Sequence, residues 1–414
     1  MPRVLLLLPT TTYRTADFLE AAGKLGLDVT VASEEASAFE AANPDGLVTL
    51  DFRDPAACAR RVGELARRLP IAAVVGVDEE SAVAAAAISA SLGLPANSPA
   101  AAVAAWHKAT LRRRLSAAGV PTPPHRVFSR EQVASDVAPL VRYPCVLKPT
   151  FLAGSRGVIR ADGPDEFVAA WQRIGRLLDQ PDVVRKGGKL CREILVEDFV
   201  PGREFALEGL LREGVLSVLA LFDKPDPLDG PFFEETIYVT PSLLPEAEQL
   251  RIAQVVAAGA RALGLEEGPV HAEVRHGAGG TWLIELAARS IGGLCSRALR
   301  FGTGMSLEEL VLRNALRLPI PTLERERCAS GVMMIPIPKA GTLEKVEGVE
   351  AAQQIPGIVE VTISAYIGQL LVPLPEGSRY LGFLFSRADA PAQAEAALRQ
   401  AHSLLKFGVR PVTM

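Results

Sequence analysis

Two glutamates set in apolar surroundings are where chemistry can first be argued. The stretch 269–293 reads PVHAEVRHGAGGTWLIELAARSIGG. HAEV is β-compatible, HGAGG is a turn and TWLIELAA is apolar and strand-like, so the pattern predicts a hairpin with Glu273 on one strand and Glu285 on the other. Successive strand side chains point to opposite faces, so a Glu between Ala272 and Val274, or between Ile284 and Leu286, is aimed at one definite surface. A buried lone carboxylate is costly unless it is paired or metal-bound. Two of them on adjacent strands, with Arg289 just downstream, suit a hard cation beside an anion-binding group. Mg2+ (or Mn2+) is the natural candidate, because it takes one or two carboxylates and leaves its other positions to phosphate and water. A solvated hairpin with two exposed glutamates is the other reading of these residues.

Further upstream are residues suited to phosphate. The run Tyr143-Pro144-Cys145-Val146-Leu147-Lys148-Pro149 is a strand that buries the stem of Lys148 and leaves its ammonium at a cleft. The next turn holds Gly154, Ser155, Arg156 and Gly157, a flexible loop whose backbone N–H groups can wrap phosphate oxygens. EILVEDFV at 193–200 is a strand ending in carboxylates, followed by PGREF. An acidic side chain after such a turn, here Glu204, can accept from ribose hydroxyls, and hinge backbone can pair with an adenine edge. The segment 222–238, rich in Pro, Gly and aromatic residues, is long enough without regular structure to read as a lid or binding loop.

The rest of the chain must position these groups. Its 414 residues suggest two to four domains, and 49% hydrophobic with 22% charged residues is an ordinary globular composition. A net charge of −4 with no basic run argues against a nucleic-acid or anionic-membrane partner. Five scattered cysteines without a CxxC pair argue against a disulfide framework or cysteine zinc site and fit a reducing cytoplasm. MPRVLLLLP is too short for a signal h-region and reads as a first buried strand. Strands are expected at 3–8, 27–32 and 70–75, alternating with helices at 15–25 and up to about 92. That alternation predicts a parallel, Rossmann-like sheet with the polar loops TTTYRT and VDEE at its crevice. No GxGxxG follows the first strand and no GxxxxGK[ST] occurs, which weakens dinucleotide and P-loop readings. A helix is expected over 100–118, containing Trp106-His107-Lys108, and a domain boundary near 105. Beyond 321, strands at 330–336, 358–365, 369–372 and 380–386 and a helix at 390–405 predict a small α+β unit packed on what precedes it. There Gly368 and Gly382 are candidates for bulges or close approaches.

Together these motifs carry a family resemblance. His107-Lys108, PCVLKP, the AGSRGV loop, LVEDFVPGREF, HAEVR and LIELAARSIGG resemble, in order and over residues 1–320, an ATP-grasp enzyme of the carboxylate–amine ligase branch that includes L-amino-acid (dipeptide) ligases. The resemblance implies a combined α/β and α+β chain in four parts. These are a Rossmann-like parallel-sheet domain at 1–105, the two grasp lobes at 106–190 and 191–320, and a C-terminal α+β lid region at 321–414. It implies ATP and Mg2+ as cofactors, and small-molecule carboxylate and amine substrates. Carried over residue by residue, it places Lys108 and Lys148 at the ATP phosphates, with Lys148 also catalytic, and makes 153–157 the mobile loop above them. Glu197, Asp198, Phe199 and Val200 become the adenine hinge, Glu204 the ribose carboxylate, and Lys224 a further phosphate-side lysine. Glu273 and Glu285 become the metal ligands. Arg289 stabilises the acyl phosphate or binds the substrate carboxylate, with Gly292 and Gly293 lining the substrate pocket. His271, two residues before Glu273 on the same strand, shares its face and is a candidate for lining that pocket, a satisfied structural histidine being the other reading. The chain departs from the common pattern twice, with His107 where Asp usually precedes the first lysine and Ala287 where many members carry Asn.

The chemistry so implied is attack of a substrate carboxylate on the γ-phosphate of ATP, then of an amine on the acyl phosphate, giving an amide, ADP and phosphate. Water must be kept out, and 153–157 and 222–238 are the candidate closing segments. Two alternatives stand beside this. One is another ATP-grasp reaction, such as bicarbonate carboxylation or a purine-pathway ligation. The other is nucleotide binding without turnover, which Ala287 and His107 keep open. The Ala- and Leu-rich surface permits a homodimer.

Overall fold

The computed structural model describes residues 1–411. Strands β1 (Arg3–Leu7), β2 (Asp28–Ser33), β3 (Leu47–Thr49) and β4 (Ala73–Gly76) form a parallel sheet in the order β3-β2-β1-β4. Helices α1 (Thr15–Lys24), α2 (Pro55–Ala66) and α3 (Glu79–Ser91) connect and cover them. The near-continuous apolar run of β1 is what a parallel strand covered on both faces requires. The sequence reading assigns no element to β3 and α2, although Asp54 caps α2 through the Ala57 N–H with Pro55 at the first turn, a recognisable start signal.

The helix expected over 100–118 is two helices, α4 (Pro99–Trp106) and α5 (Lys108–Ala117). His107 between them is extended, at φ −87° and ψ 102°, with Nδ1 2.8 Å from Thr110 Oγ1, and the Lys108 N–H donates to Thr150 O at 2.9 Å. This break turns Lys108 inward as the first residue of α5.

A four-stranded antiparallel sheet follows, in the order β5-β8-β6-β7, from β5 (His125–Ser129), β6 (Cys145–Pro149), β7 (Ile159–Ala161) and β8 (Glu193–Asp198). Its helices are α6 (Ala134–Val137), α7 (Pro164–Leu178) and α8 (Pro181–Gly187). Phe167, Trp171, Ile174 and Leu178 repeat at helical spacing along α7 and bury one stripe against the sheet.

The largest sheet is antiparallel, with eight strands in the order β13-β12-β9-β10-β11-β16-β20-β18. Its first five strands along the chain are β9 (Arg203–Arg212), β10 (Val215–Asp223), β11 (Ile237–Thr240), β12 (Gly268–Gly277) and β13 (Gly280–Ala287). Helix α9 (Glu246–Leu263) covers one face, in a core it shares with Ala101, Ala104 and Ala105 of α4 and Leu111 and Leu115 of α5. After the short hairpin β14 (Arg300–Phe301) and β15 (Met305–Ser306) comes α10 (Leu307–Ala315), which packs the opposite face together with β1 and α1 of the N-terminal sheet.

The small α+β unit expected from sequence shares a sheet with the part it packs on. β16 (Ala329–Ile335), β18 (Ile358–Ile363) and β20 (Gly382–Ala388) continue the large sheet itself, with β16 paired to β11. Only β17 (Gly341–Glu347), β19 (Leu370–Leu371) and β21 (Lys406–Arg410) make a sheet of their own, beside α11 (Val349–Gln353) and α12 (Pro391–Leu404). Gly382 is a close approach, since a Cβ there would lie 2.2 Å from Thr362 O, whereas Gly368 is a turn at φ +90°.

Candidate active site

The β12–β13 hairpin is the floor of the site. Its register sets Glu273 directly opposite Glu285, with an irregularity just after Glu273, so both carboxylates leave the same face. Glu285 Oε1 lies 3.2 Å from Lys108 Nζ, which the break at His107 has delivered there. Lys108 is buried, and desolvation alone would lower its pKa; Glu285 and Glu79 reverse that and hold the ammonium charged above its ordinary value.

Glu273 belongs to a second group. Lys224 ends the β10 side of the long loop and Glu235 stands near its other end, so the loop's closure brings them together beside Glu204 of β9. Lys224 Nζ is 2.8 Å from Glu204 Oε1 and 3.5 Å from Glu273 Oε1, and it also pairs with Glu235. Oxygens of Glu204, Glu235 and Glu273 all lie within 4.8 Å of one another. Burial opposes the charge on Lys224, but the three carboxylates overcome it and raise its pKa well above the usual lysine value. Glu204 Oε2 is taken by Arg275 Nε at 3.2 Å.

Under Glu273 runs a buried relay. Glu208, fully buried in the middle of β9, accepts from the Ile291 N–H at 3.1 Å and pairs through its other oxygen with His271 Nδ1. His271 Nε2 points to Glu273 Oε1 at 3.6 Å. One carboxylate thus ties β12 to the turn that carries Ser290 and Gly292.

On the small sheet, Lys148 Nζ is 2.7 Å from Glu197 Oε2, whose Oε1 is 2.6 Å from Arg112 Nε. Arg112 Nη2 also donates to Ile284 O at 2.6 Å, joining α5, both sheets and Lys148. Burial would push the Glu197 carboxyl up, but Arg112 and Lys148 bring it down to about 2. Phe199 lies between two guanidiniums, with Arg160 at 4.2 Å and Arg275 at 4.8 Å from its ring centre.

At the opposite edge, Arg289 Nη2 bonds Glu79 Oε1 at 2.6 Å, from the first turn of α3 at the carboxyl end of β4. Arg14, from the loop after β1, reaches Ser290 Oγ and Glu308, both at 2.9 Å. The crevice loops of the parallel sheet therefore close onto the turn after β13. Gly293 sits at φ +60° and an added Cβ would be 2.9 Å from Phe383; beside Gly292 the space is open.

With this geometry in view, comparison with known proteins is specific. Residues 141–298 match an ATP-grasp domain, 19–96 an ATP-grasp N-terminal domain, and 333–410 the L-amino acid ligase C-terminal domain 2. These matches make the chain an ATP-grasp protein in its domains, with the C-terminal domain of the L-amino acid ligases among the carboxylate–amine ligases. Its fold superposes on an L-amino acid ligase from Bacillus licheniformis with a TM-score of 0.83 at 27% identity, covering 99% of both chains. The alanine–anticapsin ligase of Bacillus subtilis is 28% identical over 206 residues, 45% of this chain and 42% of that one. A D-alanine–D-alanine ligase of Pseudomonas putida is 26% identical over 204 residues, 47% of this chain and 58% of the relative. The chain thus spans about half the length of these two ligases.

The structure gathers Lys108, Lys148, Glu204, Lys224, His271, Glu273, Glu285 and Arg289 into one network of neighbouring charged side chains. It does not bring Arg156 there. That guanidinium turns outward to Asp182 at 2.8 Å, Gln180 at 2.7 Å and Glu376 O at 2.7 Å, and the Gly157 N–H donates to Pro375 O at 2.8 Å. Gly154 and Ser155, at φ +62° and +55°, remain as the loop's crest. In the hinge, the Glu197 side chain is held between two cations, and the Asp198 and Phe199 N–H groups are spent on Pro124 O and Pro144 O at 2.9 Å. Val200 O accepts from Arg275 Nη1 at 2.9 Å. The sequence reading singled out neither Arg112, Glu208 nor Glu235, and placed Glu79 only within the VDEE crevice loop. Glu208 did leave a signal, an acid in the middle of the apolar run ALEGL. The grouped carboxylate oxygens suit a hard divalent cation.

Proposed function

We propose that this chain is an ATP-dependent ligase that joins the carboxylate of one amino-acid-like substrate to the amine of another through an acyl phosphate, releasing ADP and phosphate. The observation that carries this is the convergence of three buried lysines and the five glutamates they pair with, with Arg289 beyond them. Lys108 and Lys148 hold ATP phosphates, Gly154 and Ser155 cap them, and Lys224 leaves its glutamates for the γ-phosphate. Glu204 then turns to the ribose, and the backbone at Val200 reads the base edge.

Glu273, Glu285 and Glu235 would hold Mg2+, which when bound neutralises charge on the transferring phosphoryl oxygens. His271, fixed by Glu208, stands 3.6 Å from one oxygen of Glu273 and orients that carboxylate. Arg289 presents a planar fork to the acyl phosphate and to the tetrahedral anion that follows. Glu79 beside it is buried and anionic, which suits a substrate ammonium, and Gly292 leaves room for a side chain. Water is kept out by the 222–238 segment, which bridges to β7 through Arg160 N–H to Pro231 O at 2.9 Å.

The test is phosphate release from MgATP across amino acids offered singly and in pairs, with a bicarbonate arm and Glu285→Ala as control. Release that depends on a particular pair and is lost in the control supports the ligase. Release that follows bicarbonate instead refutes it.

A further inference from the structure

The loop over the phosphate position is not held by its own lobe alone. The segment from Pro373 to Tyr380, between β19 and β20, crosses from the C-terminal part of the chain to the small sheet. There the Glu376 carboxylate meets Arg173 of α7 in a two-pronged pair, Nε at 2.6 Å and Nη2 at 2.9 Å. The hydrogen bond from Arg173 holds the Glu376 carboxyl below its ordinary value. Glu376 also receives Arg156 Nε on its backbone carbonyl, and Pro375 O receives the Gly157 N–H. Ser378 lies under Gly154, where a Cβ would meet its own Cβ at 3.3 Å. Three of the five loop residues, Gly154, Arg156 and Gly157, therefore meet this one segment. At its far end Tyr380 packs edge-on against Phe383 at 6.0 Å, and Phe383 is the wall against which Gly293 is pressed. One strap thus touches the phosphate loop and, through Phe383, reaches the glycine turn beside Arg289.

We propose that Glu376 is a positioning residue for the 153–157 loop. Its carboxylate clamps the strap to α7, and its backbone orients Arg156, so that the loop's crest at Gly154 and Ser155 faces the cleft while Arg156 and Gly157 serve as anchors. This inference rests on the reading of the cleft as an ATP site. It gives the C-terminal part a role in nucleotide binding, and it ties the loop's position to the substrate-side wall through Tyr380.

The test uses the full chain, Mg2+ and the non-hydrolysable analogue AMPPNP, followed by calorimetry. Wild type is compared with Glu376→Gln, Arg173→Gln and the reversed pair Arg173→Glu/Glu376→Arg. Thermal melts identify any variant that fails to fold, and the two single variants break the same contact from opposite sides. Losing the pair should weaken AMPPNP binding about fivefold, the scale of one good ion pair. It should also speed cleavage of the 153–157 loop by trypsin, at Arg156, in the presence of AMPPNP, and the reversed pair should restore both. A merely structural contact would lower the melting temperature and leave affinity and cleavage unmoved. Unchanged affinity in both single variants, with wild type binding normally, overturns the proposal while the ATP reading stands. Absence of binding by wild type overturns both.

Discussion

Replacing Glu197 with Gln removes the anion that neutralises two buried cations, and the cost can be worked out from the structure. Glu197 is 4% exposed, with Arg112 Nε at 2.6 Å and Lys148 Nζ at 2.7 Å. Its carboxyl is lowered from 4.5 to about 2. A shift of that size is worth about 3 kcal/mol of folding stability, and breaking a buried ion pair from one side costs about 3–5 kcal/mol. Because the folded value is depressed, this stability is present above pH 4.5 and is lost as pH falls towards 2. Glu197→Gln should therefore lose about 3 kcal/mol at pH 7, and its gap to wild type should narrow below pH 4.5. Urea titrations followed by tryptophan fluorescence would show this, since Trp171 lies in the small-lobe core and Trp106 packs against it. A variant within about 0.5 kcal/mol of wild type at pH 7, the range of an ordinary surface change, would refute the reasoning. So would a gap that stays constant between pH 7 and pH 3.

Other perturbations separate the parts of the site. Glu235→Gln and Glu273→Gln should each weaken Mn2+ binding, read by electron paramagnetic resonance, by at least about tenfold. Arg289→Lys loses the planar fork and should lower substrate-dependent phosphate release about 100-fold, while calorimetry shows AMPPNP binding intact. Gly157→Ala puts a Cβ 2.7 Å from Leu177 and 2.9 Å from Pro149 at φ +76°. It should destabilise the small lobe by about 1–3 kcal/mol in the same urea assay.

What could be read from the sequence was local. The hairpin under Glu273 and Glu285 follows from alternation around a glycine turn, and the observed register sets the two residues opposite each other. Lys148 at the end of an apolar run, and the glycines after it, announced themselves in the same way. What sequence could not show is pairing across distance. Glu79 meets Arg289 across 210 positions and Glu376 meets Arg173 across 203, and no periodicity encodes either contact. The eight-stranded sheet was hidden for the same reason, since β16 joins β11 only after the chain has built α9, β12, β13, the β14–β15 hairpin and α10 in between. The helix break at His107 was missed because neither Pro nor Gly marks it. A backbone bond to Thr150 and the burial of Lys108 override a helical pattern.

The acyl phosphate can be tested by the fate of oxygen. Once the pair of substrates that elicits phosphate release is known, the carboxylate partner is supplied with 18O in its carboxyl group, and the released phosphate is analysed by mass spectrometry. Transfer of one labelled oxygen into each phosphate is predicted, because the carboxylate oxygen that attacks the γ-phosphorus leaves with it when the amine displaces it. Unlabelled phosphate, or label appearing in AMP in place of phosphate, would contradict the account.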